Sequence, residues 1–244
     1  MSLVSEGVTH ALIDGDIIAY RCAASCEPTK MKTHLEPMNV AIQRADELMY
    51  RILEKLQVED YTIFLSSGQN WRKLLDPTYK AHRIRPDPVW LGDVQAFLVN
   101  DWNAVLADEM EADDALGMSA DVHTVIVSID KDLHQIPGYH YNFVKDEFRY
   151  LDPFEAERVI YRLAMEGDKA DNIKGIEGIG PVKAARIINE YQNIQELHEY
   201  VRSLFNDDER FNKTLRLLKV LRSEEEFAEI QKLVGRGVLE EDQV

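Results

Sequence analysis

Five carboxylates crowded into one stretch of the chain raise the first chemical question. Glu111, Asp113 and Asp114 stand together in E-M-E-A-D-D-A-L-G, and Asp130 and Asp132 follow directly on the β-branched, apolar run from Thr124 to Ile129. A buried strand that ends in two acids carries them to the carboxyl edge of a sheet, where open α/β folds bind ligands. Carboxylates converging at such an edge repel one another unless a cation lies among them. Hard divalent ions such as Mg²⁺ take oxygen ligands of this kind. The plainer alternative is a solvated acidic helix start followed by a strand-end turn. The apolar strand in front of Asp130 and Asp132 favours the metal site.

The elements that would position these acids can be read from periodicity and turn chemistry. Val8 to Asp14 is a β-type run ending in Asp14-Gly15-Asp16, so a further carboxylate reaches a strand end. Asp16 either hydrogen-bonds within that turn, the favoured reading, or adds a carboxylate to the cluster. Ile17 to Ala24 is predicted helical, Glu27 to Pro37 a loop, and Val40 to Leu56 an amphipathic helix with apolar residues at helical spacing. Tyr61 to Leu65 is a buried strand, Val89 to Val99 a helix, Ala104 to Leu106 a short strand and Ala112 to Ala120 the helix that begins in the acids. Tyr139 to Val144 and Phe148 to Leu151 are two short strands. Beyond Asp152-Pro153 the chain reads as helices with no convincing strand, which divides it into residues 1–152 and 153–244.

Two further stretches suit a polyanion. The first, N-W-R-K-L-L-D-P-T-Y-K-A-H-R-I-R, sets Arg72, Lys73, Lys80, Arg83 and Arg85 against the single acid Asp76, with Trp71 and Tyr79 among them. Cations interleaved with aromatics fit a nucleic-acid strand. An ordinary loop with both rings tucked into the core is the alternative. The second is G-D-K-A-D-N-I-K-G-I-E-G-I-G-P-V-K-A-A-R. Gly175, Gly178 and Gly180 permit tight turns. Pro181 suits a first helical position, and the free N–H groups of the helix Val182 to Tyr191 can hold a phosphate, with Lys183 and Arg186 adding charge. Asp168 and Asp171, three apart, are expected on one helical face.

Composition limits the field. The chain has 244 residues and a net charge of −16. Such acidity argues against nucleic-acid binding taken alone, although clustered metal ligands inflate it and local distribution matters more. The two cysteines, Cys22 and Cys26, lack the partners of a zinc site or a disulfide scaffold and suggest a reducing cytoplasm. The first residues have neither the basic start nor the apolar core of a signal peptide.

Taken in order, these motifs resemble the structure-specific 5′-nucleases: flap endonucleases, phage 5′→3′ exonucleases and the 5′-nuclease domain of bacterial DNA polymerase I. The resemblance covers residues 8 to 192, and Asn70-Trp71-Arg72-Lys73 is most similar to the phage branch. It implies an α/β fold, a mostly parallel central sheet flanked by helices in a PIN-like core, followed by a helical helix–three-turn–helix DNA clamp. It implies that Asp14, Glu111, Asp113, Asp114, Asp130, Asp132, Asp168 and Asp171 hold two divalent ions, Mg²⁺ or Mn²⁺. Lys80 and Arg83 then match basic residues near the scissile phosphate, and Tyr79 an aromatic that stacks on a base. Gly175 to Pro181 match the clamp, whose carbonyls can hold potassium in such proteins. DNA bearing a flap, a nick or a 5′ end is the implied partner, with RNA–DNA hybrid also open, in replication or repair and in a cytoplasm (the host's, for a phage protein). One departure stands out. Many relatives carry an acid followed by Lys-Gly after the second strand, where this chain has Ser66-Ser67-Gly68. A catalytically silent DNA-structure-binding protein and a PIN-type ribonuclease are the rival readings.

Overall fold

The computed structural model describes residues 7–82 and 86–241, and side chains as far as 235. Contacts divide the chain into two compact units. The first comprises Met1–Gln69, Arg85–Ile129 and Gly138–Arg149, and the second Asn70–Ile84, Asp130–Pro137 and Tyr150–Val244. The boundary is therefore drawn differently from a single cut near residue 152. Two short segments from the middle of the chain belong with the helical remainder.

The first unit is built on strands β1 (His10–Asp14), β2 (Asp60–Ser66), β3 (Val105–Ala107), β4 (Thr124–Val127) and β5 (Gly138–Asn142). They form a sheet in the order β3-β2-β1-β4-β5, with β6 (Glu147–Leu151) beyond β5. The pairs β1–β2, β1–β4, β2–β3 and β4–β5 are all parallel. The chain runs from β1 outward to β3 and returns to β4 on the other side of β1. The carboxyl edge between β1 and β4 is thus a topological switch point, where such sheets bind ligands.

Burial on both faces explains the unbroken apolar strands. Ala11, Ile13, Ile63, Leu65, Val125 and Val127 point into one core with the buried faces of helices α1 (Gly15–Ala24), α2 (Met38–Leu56) and α4 (Leu91–Trp102). The alternate residues Leu12, Phe64 and Ile126 are buried as well, and helix α5 (Ala112–Ser119) packs against β1, β2 and β3. The α2 stripe predicted from Ile42, Ala45, Leu48, Met49, Ile52, Leu53 and Leu56 is largely buried, with Ile42 and Leu53 half-buried, and the helix ends on Gln57 in the left-handed conformation. Cys22 and Cys26 are free and buried, and burial pushes the Cys22 thiol up to about 11.

The second unit is helical. Helix α3 (Trp71–Leu75) opens it, followed later by α6 (Pro153–Glu166), α7 (Pro181–Glu190), α8 (Ile194–Phe205), α9 (Asp208–Leu218) and α10 (Glu224–Glu241). Its core gathers Tyr161, Leu163, Met165, Ile187, Leu197, Val201, Phe205 and Phe211. Asp152, Asn193 and Asp207 cap α6, α8 and α9 with side-chain oxygens. The strand-free remainder expected after residue 152 needs one correction. Gly167–Asp168 (β7) and Ile173–Lys174 (β8) form a small antiparallel pair. No helix among the described residues is long and apolar enough to cross a membrane.

Candidate active site

In the first unit the acids gather at the carboxyl edge around β1. Asp14 is 2% exposed. Its Oδ1 accepts the Ile17 N–H at 3.1 Å and caps α1, and its Oδ2 accepts the Ser128 hydroxyl at 2.7 Å, spanning the switch point from β1 to the end of β4. Asp114 is buried in the first turn of α5, while Glu111 and Asp113 are half-buried beside it. Acids in a first turn complement the positive end of the helix dipole.

Asp16 departs from its expected place. Instead of bonding within the Asp14-Gly15 turn, its two oxygens accept the Ser66 N–H, at 3.1 and 3.3 Å, at the end of β2. Burial raises its pKa, and the charge of Glu111 adds to that. Ser66 Oγ in turn accepts the Ala112 N–H at 2.9 Å. This serine therefore ties Asp16 to the start of the α5 that bears Glu111, Asp113 and Asp114. Gly15 makes the approach possible, since a Cβ there would stand 2.7 Å from Phe64 O. Sequence reading missed the parts played by Ser66 and Ser128. Their only signal was position, one hydroxyl residue ending β2 and one directly after β4.

In the second unit Asp130, Asp132, Asp168 and Asp171 form another set. Burial first, then the charges of Asp130, Asp168 and Asp171, push the Asp132 carboxyl up to about 7, against the opposing pull of Arg162. Asp130 Oδ1 accepts the Asp132 N–H at 2.8 Å, which sets the turn between them. Asp168 and Asp171 do not share a helical face. They bracket the tight turn between β7 and β8, where Asp168 Oδ1 accepts from Ala170 N at 2.6 Å and Asp171 N at 3.2 Å. The local side-chain bonds won over the helical spacing.

The basic stretch is held against that turn. Lys80 N donates to Asp171 O at 3.1 Å, His82 Nε2 to Lys169 O at 2.6 Å and Asn172 Nδ2 to Thr78 O at 3.0 Å. Tyr79 is 4% exposed and donates its hydroxyl to Asp171 Oδ2 at 2.8 Å. A buried ring cannot stack on a base, so that expectation for Tyr79 is corrected. Lys80 Nζ stands 3.7 Å from Asp171 Oδ2 and is part-buried. Arg72 is corrected too: at 3% exposed it lies inside the unit. Lys73 is exposed beside it, and Arg83 and Arg85 lie outside the described residues.

The glycine hairpin owes its shape to two glycines with different tasks. A Cβ on Gly175 would collide with Glu166, Gly167 N and Met165 O, so the chain can close only without one. Gly178 adopts φ +76°, and Gly180 precedes α7 with open space around it. The N-terminus of α7 carries no side-chain cap. Lys183 Nζ lies 3.4 Å from Gly178 O, and exposed Arg186 stands 3.9 Å from Glu190.

Among the described residues no three Asp, Glu, His or Cys side chains converge at ion-holding spacing. The donor set nonetheless fits a hard divalent ion: both groups are all oxygen, and burial together with the neighbouring carboxylates pushes Asp132 up to about 7. A cation would relieve the same repulsion.

The family described as 5′-3′ exonuclease, N-terminal resolvase-like domain, matches residues 9–164. The chain belongs to the 5′-3′ exonuclease family. The companion domain, 5′-3′ exonuclease, C-terminal SAM fold, matches residues 154–235. A 5′-3′ exonuclease of Mycoplasma genitalium is 27% identical over 262 residues, covering 92% of this chain and 89% of that protein. A DNA polymerase I of Rhizobium leguminosarum is 29% identical over 215 residues, covering 77% of this chain, which spans only 21% of that much longer protein. A flap endonuclease Xni of Shewanella frigidimarina is 32% identical over 157 residues, 56% of this chain and 60% of that one. Among solved structures, a T5 5′-exonuclease with bound zinc superposes with TM-score 0.67 at 17% identity, covering 93% of this chain and 98% of that chain. A bacteriophage T5 flap endonuclease solved with DNA and metal ions gives 0.64 at 19% identity, covering 87% and 89%. At such identities these likenesses show the fold, a mostly parallel sheet core with a helical C-terminal region.

Proposed function

We propose that the protein is a divalent-metal-dependent 5′-nuclease that hydrolyses phosphodiester bonds in DNA with a 5′ end, flap or nick. The observation that carries this reading is the second carboxylate set, in which burial first and then the charges of Asp130, Asp168 and Asp171 push the Asp132 carboxyl up to about 7. Four carboxylates stand here against Lys80 and Arg162, an excess of negative charge that a balanced structural ion-pair network would not carry. Family membership and the relatives named exonuclease and flap endonuclease support it, as does a fold shared with a T5 enzyme solved with DNA and metal ions.

Asp14, Glu111, Asp113 and Asp114 would hold one ion, and Asp130, Asp132, Asp168 and Asp171 a second. When bound, Mg²⁺ or Mn²⁺ supplies a water of lowered pKa and offsets charge on the leaving 3′-oxygen. Lys80 and Arg83 balance charge on the phosphate under attack. Ser66, through its bonds to Asp16 and to Ala112 N, holds the start of α5 and so the first set. The uncapped N-terminus of α7, with Lys183 and Arg186, grips the duplex backbone, so recognition is by structure rather than sequence. A potassium ion at the hairpin would sit against carbonyls of which Lys174 O and Gly175 O accept from Arg210.

The deciding experiment is cleavage of a labelled 5′-flap and a nicked duplex with Mg²⁺, Mn²⁺ or EDTA. The reading expects metal-dependent products at the 5′ side of the junction. Tight structure-selective binding without cleavage would identify a silent binder, and cleavage confined to RNA a ribonuclease.

A further inference from the structure

Arg72 and Gln135 come from segments far apart in the chain, and both end on the same few backbone atoms. Arg72 Nε donates to Leu217 O at 2.9 Å and Nη2 to Lys219 O at 2.6 Å. Gln135 Nε2 donates to Leu218 O at 2.8 Å, and Gln135 Oε1 accepts the Val220 N–H at 3.4 Å. Leu217 O and Leu218 O are the last carbonyls of α9 and Lys219 O is that of its C-cap, groups the helix itself leaves without partners. Gln135 is 4% exposed. The positive guanidinium meets the negative end of the α9 dipole, and the face of Trp71 covers it at 4.3 Å.

Gln135 closes the 3₁₀ turn Asp132–Gln135. In a 3₁₀ turn the side chains at i and i+3 eclipse, so Gln135 lies one turn along from Asp132 on the same side. Leu133 and Ile136 are fully buried within that turn and beside it, so it has little freedom to rotate. Fixing the Gln135 carboxamide at two points therefore fixes the direction in which Asp132 leaves the backbone.

The geometry points to Gln135 as a positioning residue for Asp132, with Arg72 holding the α9 end that it grips. The Asn70-Trp71-Arg72-Lys73 element then serves the second carboxylate set from within, and the segment 217–220 is part of the catalytic apparatus although it holds no catalytic side chain. This inference rests on the reading of Asp132 as a metal ligand. A supporting partner of a metal ligand changes metal affinity by about 10- to 100-fold when removed.

The test uses the full chain without DNA, titrated with Mn²⁺ by electron paramagnetic resonance and with Ca²⁺ by calorimetry. Gln135→Leu keeps the volume and loses both bonds. Its weaker metal site should lose about tenfold or more in affinity. With DNA, cleavage should fall at limiting Mg²⁺ and recover as Mg²⁺ is raised, a rescue that a smaller folded fraction alone would not give. Wild-type metal affinity in Gln135→Leu overturns the inference. Asp132→Asn, measured alongside, separates the two levels: if it too binds metal as wild type does, the failure lies in the metal-ligand reading itself. Should Gln135→Leu not fold, the wild-type protein decides. Adding Ca²⁺ should shift the Gln135 side-chain amide resonances and slow exchange of the Val220 N–H, and no change in either overturns the inference.

Discussion

Gly167 and Gly175 meet backbone to backbone, with no room for a Cβ on either. The contact closes the loop between the end of α6 and the hairpin, and it places the Asp168–Asp171 turn directly between the two glycines in sequence. Gly175→Ala should cost about 1–3 kcal/mol by overpacking and weaken DNA binding together with stability. Gly180→Ala should fold normally, because nothing lies within 4 Å of its Cβ position and its φ is an ordinary one. Thermal melts beside DNA-binding isotherms check the pair. Equal effects at the two positions would refute the division of labour between them.

Asp130→Asn should nearly abolish cleavage and leave DNA affinity equal or slightly higher. An amide is a neutral, poorer ligand, and one negative charge fewer near a polyanion lessens repulsion. Binding in Ca²⁺ and single-turnover cleavage in Mg²⁺ measure the two effects separately. A wild-type cleavage rate would show that the end of β4 does not hold metal.

Lys183→Ala should weaken DNA binding and lower the slope of log K against log salt by about one phosphate contact. Arg72→Met should leave that slope unchanged while lowering the melting temperature, because its charge is spent on Leu217 O and Lys219 O inside the unit. An altered slope for Arg72→Met would return it to the DNA-facing role that the basic stretch suggests.

Acid should release a different contact. Glu36 accepts from Arg44 at 2.7 and 3.1 Å and from Lys32 at 2.8 Å, and these bonds hold its carboxyl down to about 2. A depressed folded-state pKa contributes stability that is present above the unfolded value of 4.5 and lost as pH falls through about 2. Melting temperatures between pH 5 and pH 2 should therefore fall further for wild type than for Glu36→Gln. The same loop holds the start of α4, since Trp90 Nε1 donates to Glu36 O and Val89 N to Glu27 Oε1, each at 2.8 Å. Parallel pH curves for the two proteins would show that the Glu36 contacts do not carry this dependence.

The parts of this molecule legible in the sequence are those set by local pattern. The apolar runs before Asp14 and Asp130 gave their strands, and the spacing of Leu48, Ile52 and Leu56 gave α2, because period and burial are properties of the run itself. Asp168 and Asp171 were misplaced, because three-residue spacing is shared by helices and by the Asx-type turn that forms there. Arg72, Tyr79 and Gln135 were misread or passed over for another reason. Their partners, Leu217 O, Asp171 Oδ2 and Leu218 O, lie tens of residues or more away, and no local pattern signals a bond to a distant carbonyl. Asp16 turned from the adjacent loop to Ser66 N, which only the β1–β2 pairing brings near.

The bonds of Arg72 also bear on how the chain is made. Synthesis runs from the N-terminus, so the segments 70–84 and 130–137 leave the ribosome long before the carbonyls of residues 217–219 exist. At ordinary elongation rates the interval from Arg72 to Lys219 is on the order of ten seconds. During that time the first unit has all of its own strands, whereas Asp132 has been made without the helix end that orients Gln135. If Gln135 positions Asp132 in this way, the nascent chain completes its second carboxylate set only once residue 219 has been translated, and a message cut short before it should yield a protein with its acids but without their alignment.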